Sequence, residues 1–172
     1  MDDDRKIRIG GIKFSEELVQ LTVFGTSAAD SSFSLLLQLL AEKSINIPYL
    51  CRSSLTKTPE SVFCVDREDL GMVQQLLHST SSTNEQVRIN RAVGMLTIFP
   101  HRNSFKLLGR LIQFFGDCGY PLHSLGTSIS AVAAITDYQL LEEIAEKLQA
   151  IFTLPDNHAP FRQGFRVTQI EP

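Results

Sequence analysis

The sequence predicts an α+β fold: two small modules in succession, each an antiparallel sheet with its helices on one face. Three observations carry that expectation. Short apolar runs that alternate like strands are interleaved with segments of helical period. In the first half they fall in the order strand, helix, strand, strand, helix, strand. Short motifs of the first half then return in the second.

The first element is "ELVQLTVF", Glu17 to Phe24, which alternates like a half-buried strand, and the small, polar "GTSAAD" after it reads as a loop. Ser31 or Ser32 is placed to cap "SFSLLLQLLAEK", where Phe33, Leu36, Leu37, Leu40 and Ala41 recur at helical spacing and Lys43 suits the negative end of the dipole. "INIPYLCRSS" reads as a second strand, with Pro48 marking an edge or a bulge. A turn over Thr56 to Pro59 leads to a third strand at Val62 to Val65. A helix carrying Leu70, Val73, Leu76 and Leu77 follows, its opening acids Asp66, Glu68 and Asp69 explained as partners of exposed amides and of the helix dipole. After the polar linker Ser79 to Gln86, "VRIN" is a fourth strand.

The order then restarts. "LTIF" at Leu96 to Phe99 repeats "LTVF" at Leu21 to Phe24, and "SFKLL" from Ser104 repeats "SFSLL" from Ser32, across a shorter loop. Pro121 stands against Pro48, followed by the apolar strand "SAVAAIT" and the helix "DYQLLEEIAEKLQAIF", with Leu141, Ile144, Leu148 and Ile151 on one face. Split strand-helix-strand units of this kind make the ferredoxin-like βαββαβ arrangement, which by itself decides no function.

Composition excludes several classes. With 172 residues, 43% hydrophobic and 20% charged, the chain buries a real core, as one domain or two small ones. Sixteen basic against 19 acidic residues give a net charge of −3, so no strong field draws the protein to phosphate backbones or acidic lipid. Met1 is followed by three aspartates rather than a leader, and no apolar run is long enough to span a bilayer, which implies a cytoplasmic, reducing setting. Cys51, Cys64 and Cys118 lack metal or redox spacing, and the first two, in strand-like apolar runs, are expected to be buried free thiols. No nucleotide-binding, nucleophile-elbow or zinc-protease motif occurs, and His78, His101, His123 and His158 are scattered, so neither a catalytic centre nor a metal or cofactor is expected. RNA recognition by this fold needs basic and aromatic residues on the central strands, and "SVFCVDR" offers one Phe and "SAVAAIT" none.

"LTVFG", "LLAEKSINI" and "VFCVDREDLGMVQQLLH" together resemble the ACT domains of aspartokinase regulatory regions, and "IGGIKFSEELVQLTVFG" resembles the linker strand that leads into them. The resemblance covers Ile7 to about Phe152 and is stronger in the first copy. It implies a non-catalytic regulatory region, free-standing or severed from an aspartokinase, since the kinase domain is missing from the chain. It implies a first module at residues 16–90 and a second at 91–172, the first inserted within the second so that strand 6–14 completes the second sheet. The C-terminal "FRVTQI" is a competing candidate for that place.

It also implies a homodimer and a free amino acid as ligand, lysine or threonine by resemblance, held between the loop after the first strand of one module and the second strand of a partner module. In this sequence those places are Gly25, Thr26, Ser27, Ala28, Ala29, Asp30 and Ser31, and Asn46 with Ile47. Amides at the helix start can take the ligand carboxylate, Asp30 its ammonium group, and the Asn46 amide can both donate and accept. His101, Arg102 and Asn103, in the shorter second loop, form a candidate second site for an anion or carboxylate. The family loop carries Pro-Gly just before the helix, where this chain has Asp30-Ser31 and its second copy "PHRNS". The other reading consistent with the residues is a dimerisation or protein-interaction module without a small ligand.

Overall fold

A computed structural model of the chain describes residues 6–24, 31–53, 60–80, 86–100 and 104–156. Along them run β1 (Ile7–Arg8), β2 (Gly11–Phe14), β3 (Leu18–Phe24), α1 (Ser31–Glu42), β4 (Tyr49–Ser53), β5 (Glu60–Asp66), α2 (Leu70–Thr80), β6 (Gln86–Phe99), α3 (Phe105–Cys118), β7 (Ser124–Thr127), β8 (Val132–Asp137), α4 (Leu141–Leu148) and β9 (Phe152–Thr153). They divide into two compact units. Among the described residues one is Glu17–Ala92, and the other joins those up to Glu16 with those from Val93 to Asp156.

In the unit Glu17–Ala92 the strand order is β4-β5-β3-β6. β3 lies antiparallel to β5 from Leu18↔Asp66 to Phe24↔Glu60, and β4 antiparallel to β5 from Tyr49↔Cys64 to Ser53↔Glu60. Period-two alternation puts Val19, Leu21 and Val23 on the same face as their cross-strand partners Val65, Phe63 and Ser61. Onto that face α1 brings Phe33, Leu36 and Leu40, and α2 brings Val73 and Leu77, closing one apolar core. Phe33 meets Phe63 edge to face at 6.3 Å between ring centres.

The second unit repeats the plan with strands from both ends of the described chain, in the order β2-β6-β8-β7. β2 is antiparallel to β6 from Gly11↔Phe99 to Phe14↔Leu96, and β8 flanks the other side of β6 from Val93↔Asp137 to Ile98↔Val132. Ser15 carries the first ladder one step further: its N–H donates to the Met95 carbonyl at 2.9 Å, and its hydroxyl accepts from the Met95 N–H at 2.9 Å. Leu107, Leu111, Phe114 and Phe115 of α3 and Leu141, Ile144, Ala145 and Leu148 of α4 pack with Leu96, Ile98, Val132 and Ala134, joined by Ile9, Phe14 and Phe152. β1 runs parallel to β9, Ile7↔Phe152 and Arg8↔Thr153. The chain turns from β1 to β2 at Gly10, whose N–H donates to the Phe99 carbonyl at 2.7 Å. A Cβ at Gly10 would lie 2.5 Å from Pro100 Cδ, so only glycine fits that approach.

Several expectations change. "VRIN" and "LTIF" are one continuous strand, β6, because the residues between them carry no turn chemistry, and the irregularity is taken up at Ala92 with φ of 56°. Asn46 and Ile47 precede β4 rather than lying in it. Asp66 caps nothing with its side chain: it ends β5, and a three-residue 3-10 turn, Arg67–Asp69, separates it from α2. Asp137 ends β8 before the matching turn Tyr138–Leu140. α1 already includes Ser31 and Ser32, so neither stands ahead of the helix as its cap. Cys64 is buried, but Cys51 is exposed because it faces away from the core on edge strand β4. The "FRVTQI" segment lies outside the described residues.

Phe14, 3% exposed, joins with Ile9 a core whose other buried members run from Leu96 to Phe152. Phe14→Ala is expected to destabilise the protein by about 3–5 kcal/mol in urea unfolding. A loss under about 1 kcal/mol would mean that β2 is not a member of that sheet.

Candidate functional site

The residues singled out as a ligand site fall into two groups. Gly25 to Asp30 lie outside the described residues, as do His101, Arg102 and Asn103. Ser31 opens α1, and Asn46 and Ile47 are half-buried between α1 and β4.

The place of Asn46 and Ile47 is set by how α1 ends. Ser44 adopts φ of 55°, its N–H donates to the Ala41 carbonyl at 2.9 Å, and the Ile45 N–H donates to the Leu40 carbonyl at 2.9 Å. This is the Schellman pattern, and its apolar contact is present too, since Ile45 and Leu40 belong to one core. The same pattern ends α3: Gly119 has φ of 68°, with Gly119 N–H to Gly116 carbonyl at 3.2 Å and Tyr120 N–H to Phe115 carbonyl at 3.0 Å. The first copy thus uses a serine where the second uses the glycine that left-handed backbone favours.

The two Schellman ends also correct the alignment of the copies. They equate Ser44 with Gly119 and therefore Asn46 with Pro121, whereas the sequence motifs set Pro121 against Pro48. A proline at the Asn46 position has neither a side-chain amide nor an N–H to donate.

Register decides what the first unit can assemble by itself. Phe24, the last residue before the loop, is level with Ser53 through Glu60, while Tyr49 is level with Gln20 through Cys64. Tyr49 and Ser53 are about 13 Å apart along a strand rising about 3.3 Å per residue. Asn46 and Ile47 lie before Tyr49, toward the other end of the sheet from the point where the chain enters the loop. Within this unit, then, the described end of β3 at Phe24 and the start of β4 at Tyr49 lie at opposite ends of the shared register.

Elsewhere the described residues offer structural rather than reactive polar clusters. His123 Nε2 lies 2.8 Å from Asp137 Oδ1, and Thr136 donates to the Pro121 carbonyl at 2.6 Å, fastening the entry of β7 to β8. Tyr120 donates to Glu143 at 2.6 Å, and Lys147 donates to the same oxygen at 2.8 Å. The Lys147 hydrogen bond holds the Glu143 carboxyl below its usual range, and the bond to Glu143 raises both Tyr120 and Lys147. The trio is solvent-facing, where such pairs contribute little. Sequence reading had left His123 unassigned, and its partner was detectable only through strand register. No group of His, Cys, Asp and Glu suited to a metal ion occurs among the described residues, and none of their helices is long and apolar enough to cross a membrane.

No protein-family model matches the chain, and no curated protein matches it in sequence. Its fold does match solved structures. The regulatory subunit of aspartate kinase from Thermus thermophilus, in ligand-free form, superposes with a TM-score of 0.73 at 13% identity, over 84% of this chain and 99% of that one. A C-terminal regulatory domain of aspartate kinase from Porphyromonas gingivalis gives 0.63 at 12% identity, over 88% and 100%. Escherichia coli aspartokinase III in complex with lysine and aspartate gives 0.64 at 13% identity, over 88% of this chain and 35% of that longer one. The chain therefore has the fold of aspartokinase regulatory regions, and the two structures it spans almost completely are regulatory parts rather than catalytic domains.

Two measurements probe this local chemistry. Ser44→Gly is expected to raise stability by about 1 kcal/mol by relieving the left-handed strain, read from chemical denaturation; a loss would show that the Ser44 side chain contributes more than its backbone costs. Burial lifts the Cys64 thiol from an ordinary 9.0 to about 12. The folded state then holds its proton while the unfolded thiol ionises, so this contribution is complete below about pH 9 and falls away as pH rises toward 12. A thiol reagent at pH 8 should find Cys51 and Cys118 in the native protein and Cys64 only after unfolding; three fast thiols would contradict the burial.

Proposed function

We propose that the chain is a non-catalytic regulatory module that binds a free amino acid at an interface between ACT units and works as a homodimer, free-standing or as the regulatory end of an aspartokinase. The observation that carries this reading is the register of the Glu17–Ala92 unit together with its fold. The loop beyond Phe24 and the Asn46–Ile47 segment are the two halves expected of such a site, and the reading is supported by the register, which puts Phe24, where the chain leaves β3, at the far end of the ladder from Tyr49. A complete site takes one half from another module, as ligand control through association requires. In the loop, Gly25 to Asp30 and the start of α1 at Ser31 receive the carboxylate and ammonium groups, and Asn46 and Ile47 of the other module close over them. The lysine and aspartate bound to Escherichia coli aspartokinase III favour an amino-acid ligand, with lysine or threonine the first to try.

The second module is proposed as the poorer binder, since Pro121 replaces Asn46 there and His101, Arg102 and Asn103 would offer a charged rather than a glycine-rich loop. A ligand-free interaction module is the competing reading, favoured by the exposure of Phe105 and Ile129, 87% each.

Thermal unfolding against the twenty amino acids tests the proposal. A ligand at 100 times its dissociation constant should add about 2.7 kcal/mol, and Asp30→Ala or Asn46→Ala should abolish that gain with little change in the ligand-free protein. No response to any amino acid would leave the ligand-free interaction module as the better reading.

A further inference from the structure

α3 is buried on one face and incompletely covered on the other. Leu107, Leu111, Phe114 and Phe115 enter the core, while Phe105 is 87% and Ile112 47% exposed. On the same outward stripe Gly109 stands between these two side chains and Gly116 one turn beyond Ile112, and a Cβ built on either meets no atom within 4 Å among the described residues. The stripe reads Phe105, Gly109, Ile112, Gly116, two protrusions alternating with two gaps at helical spacing. Glycine within a helix costs stability relative to alanine, and no described residue comes within 4 Å of a methyl placed on either of these two.

The spacing is symmetric about a point between residues 110 and 111. We propose that α3 packs antiparallel against α3 of a second copy of this chain about a two-fold axis at that point, with Phe105 seated over the partner's Gly116 and Ile112 over the partner's Gly109. Such an interface is isologous, so each protrusion finds a gap twice over, and the glycines let the two helices approach closely. Charge fits the same arrangement. Lys106 and Asp117 flank the stripe on one side, and the antiparallel pairing brings Lys106 within a turn of the partner's Asp117 at both ends. This names a surface for the dimer in the proposed function and rests on that part of it, while none of its residues belongs to the amino-acid site.

Sedimentation of the full chain from about 1 µM to 1 mM, with melting measured in parallel, tests the pairing. Gly109→Ala and Gly116→Ala are expected to move the two readouts in opposite directions. The monomer should melt about 2–4 °C higher because alanine is the better helix former and has room for its methyl. The dimer should dissociate at least tenfold more readily because the gaps are filled. Lys106→Asp and Asp117→Lys should each weaken association, and the double exchange should restore it. A chain that stays monomeric throughout, or whose association ignores the glycine substitutions, overturns the proposal. So does Phe105→Glu lowering the melting temperature equally at every concentration without changing association, since the face would then be covered by the chain's own residues 157–172. An amino-acid response that persists in the glycine variants keeps the ligand reading standing whichever way the dimer surface falls.

Discussion

The antiparallel ladder between Gly11–Phe14 and Leu96–Phe99 is the constraint on which the second unit depends. A four-stranded sheet of this kind needs a fourth strand beside its first, and β2 reaches that place from the other side of the Glu17–Ala92 unit. The Gly10 turn against Pro100, the double hydrogen bond of Ser15 to Met95 and the burial of Phe14 all serve that pairing. One consequence is mechanical. The first unit is joined to the second at both of its described ends, Glu17 and Ala92, rather than hanging from a single linker.

Much of the fold was legible because the physics behind it is local. Alternation from Leu18 to Phe24, the helical stripe of Leu36 and Leu40, and the acid-marked junction after Val65 each arise within a few residues, and each matched element appears. What was not legible depended on longer range or on unusual backbone. Nothing in "INRAVGML" announces that Ala92 takes a positive φ and lets one strand serve two units, since an alanine there costs energy that tertiary pairing repays. Cys51 read as buried because the apolar run around it resembles a central strand, yet β4 is an edge. Asn46 and Ile47 read as strand residues from composition, but the Schellman end of α1 and Pro48 hold them outside the ladder. The likeness to aspartokinase regulatory regions came from motif order, and it is fold similarity at 12–13% identity, with no family model matching, that bears it out.

The candidate site divides along the same line. Its chemistry, small and polar residues before a helix and an amide after it, was visible in sequence, whereas the distance along the ladder between Phe24 and Tyr49 emerges only from strand register. Binding that spans modules is coupled to association by linkage, so that a ligand favouring the assembled state gains affinity as assembly gains stability. An interface built on Phe105 and Ile112 of α3 would adjust such a switch without touching the ligand.

The order of synthesis gives the β2–β6 pairing a further meaning. The ribosome makes residues 11–14 long before their partners at 96–99, and at about 5–20 residues per second the interval is on the order of ten seconds. Most of the unit Glu17–Ala92 is made during that interval, while residues 11–14, the apolar Phe14 among them, are without their β6 partners. The ladder that closes the second unit is thus late to become possible, and its slowness follows from the sequence separation of its two strands rather than from their chemistry.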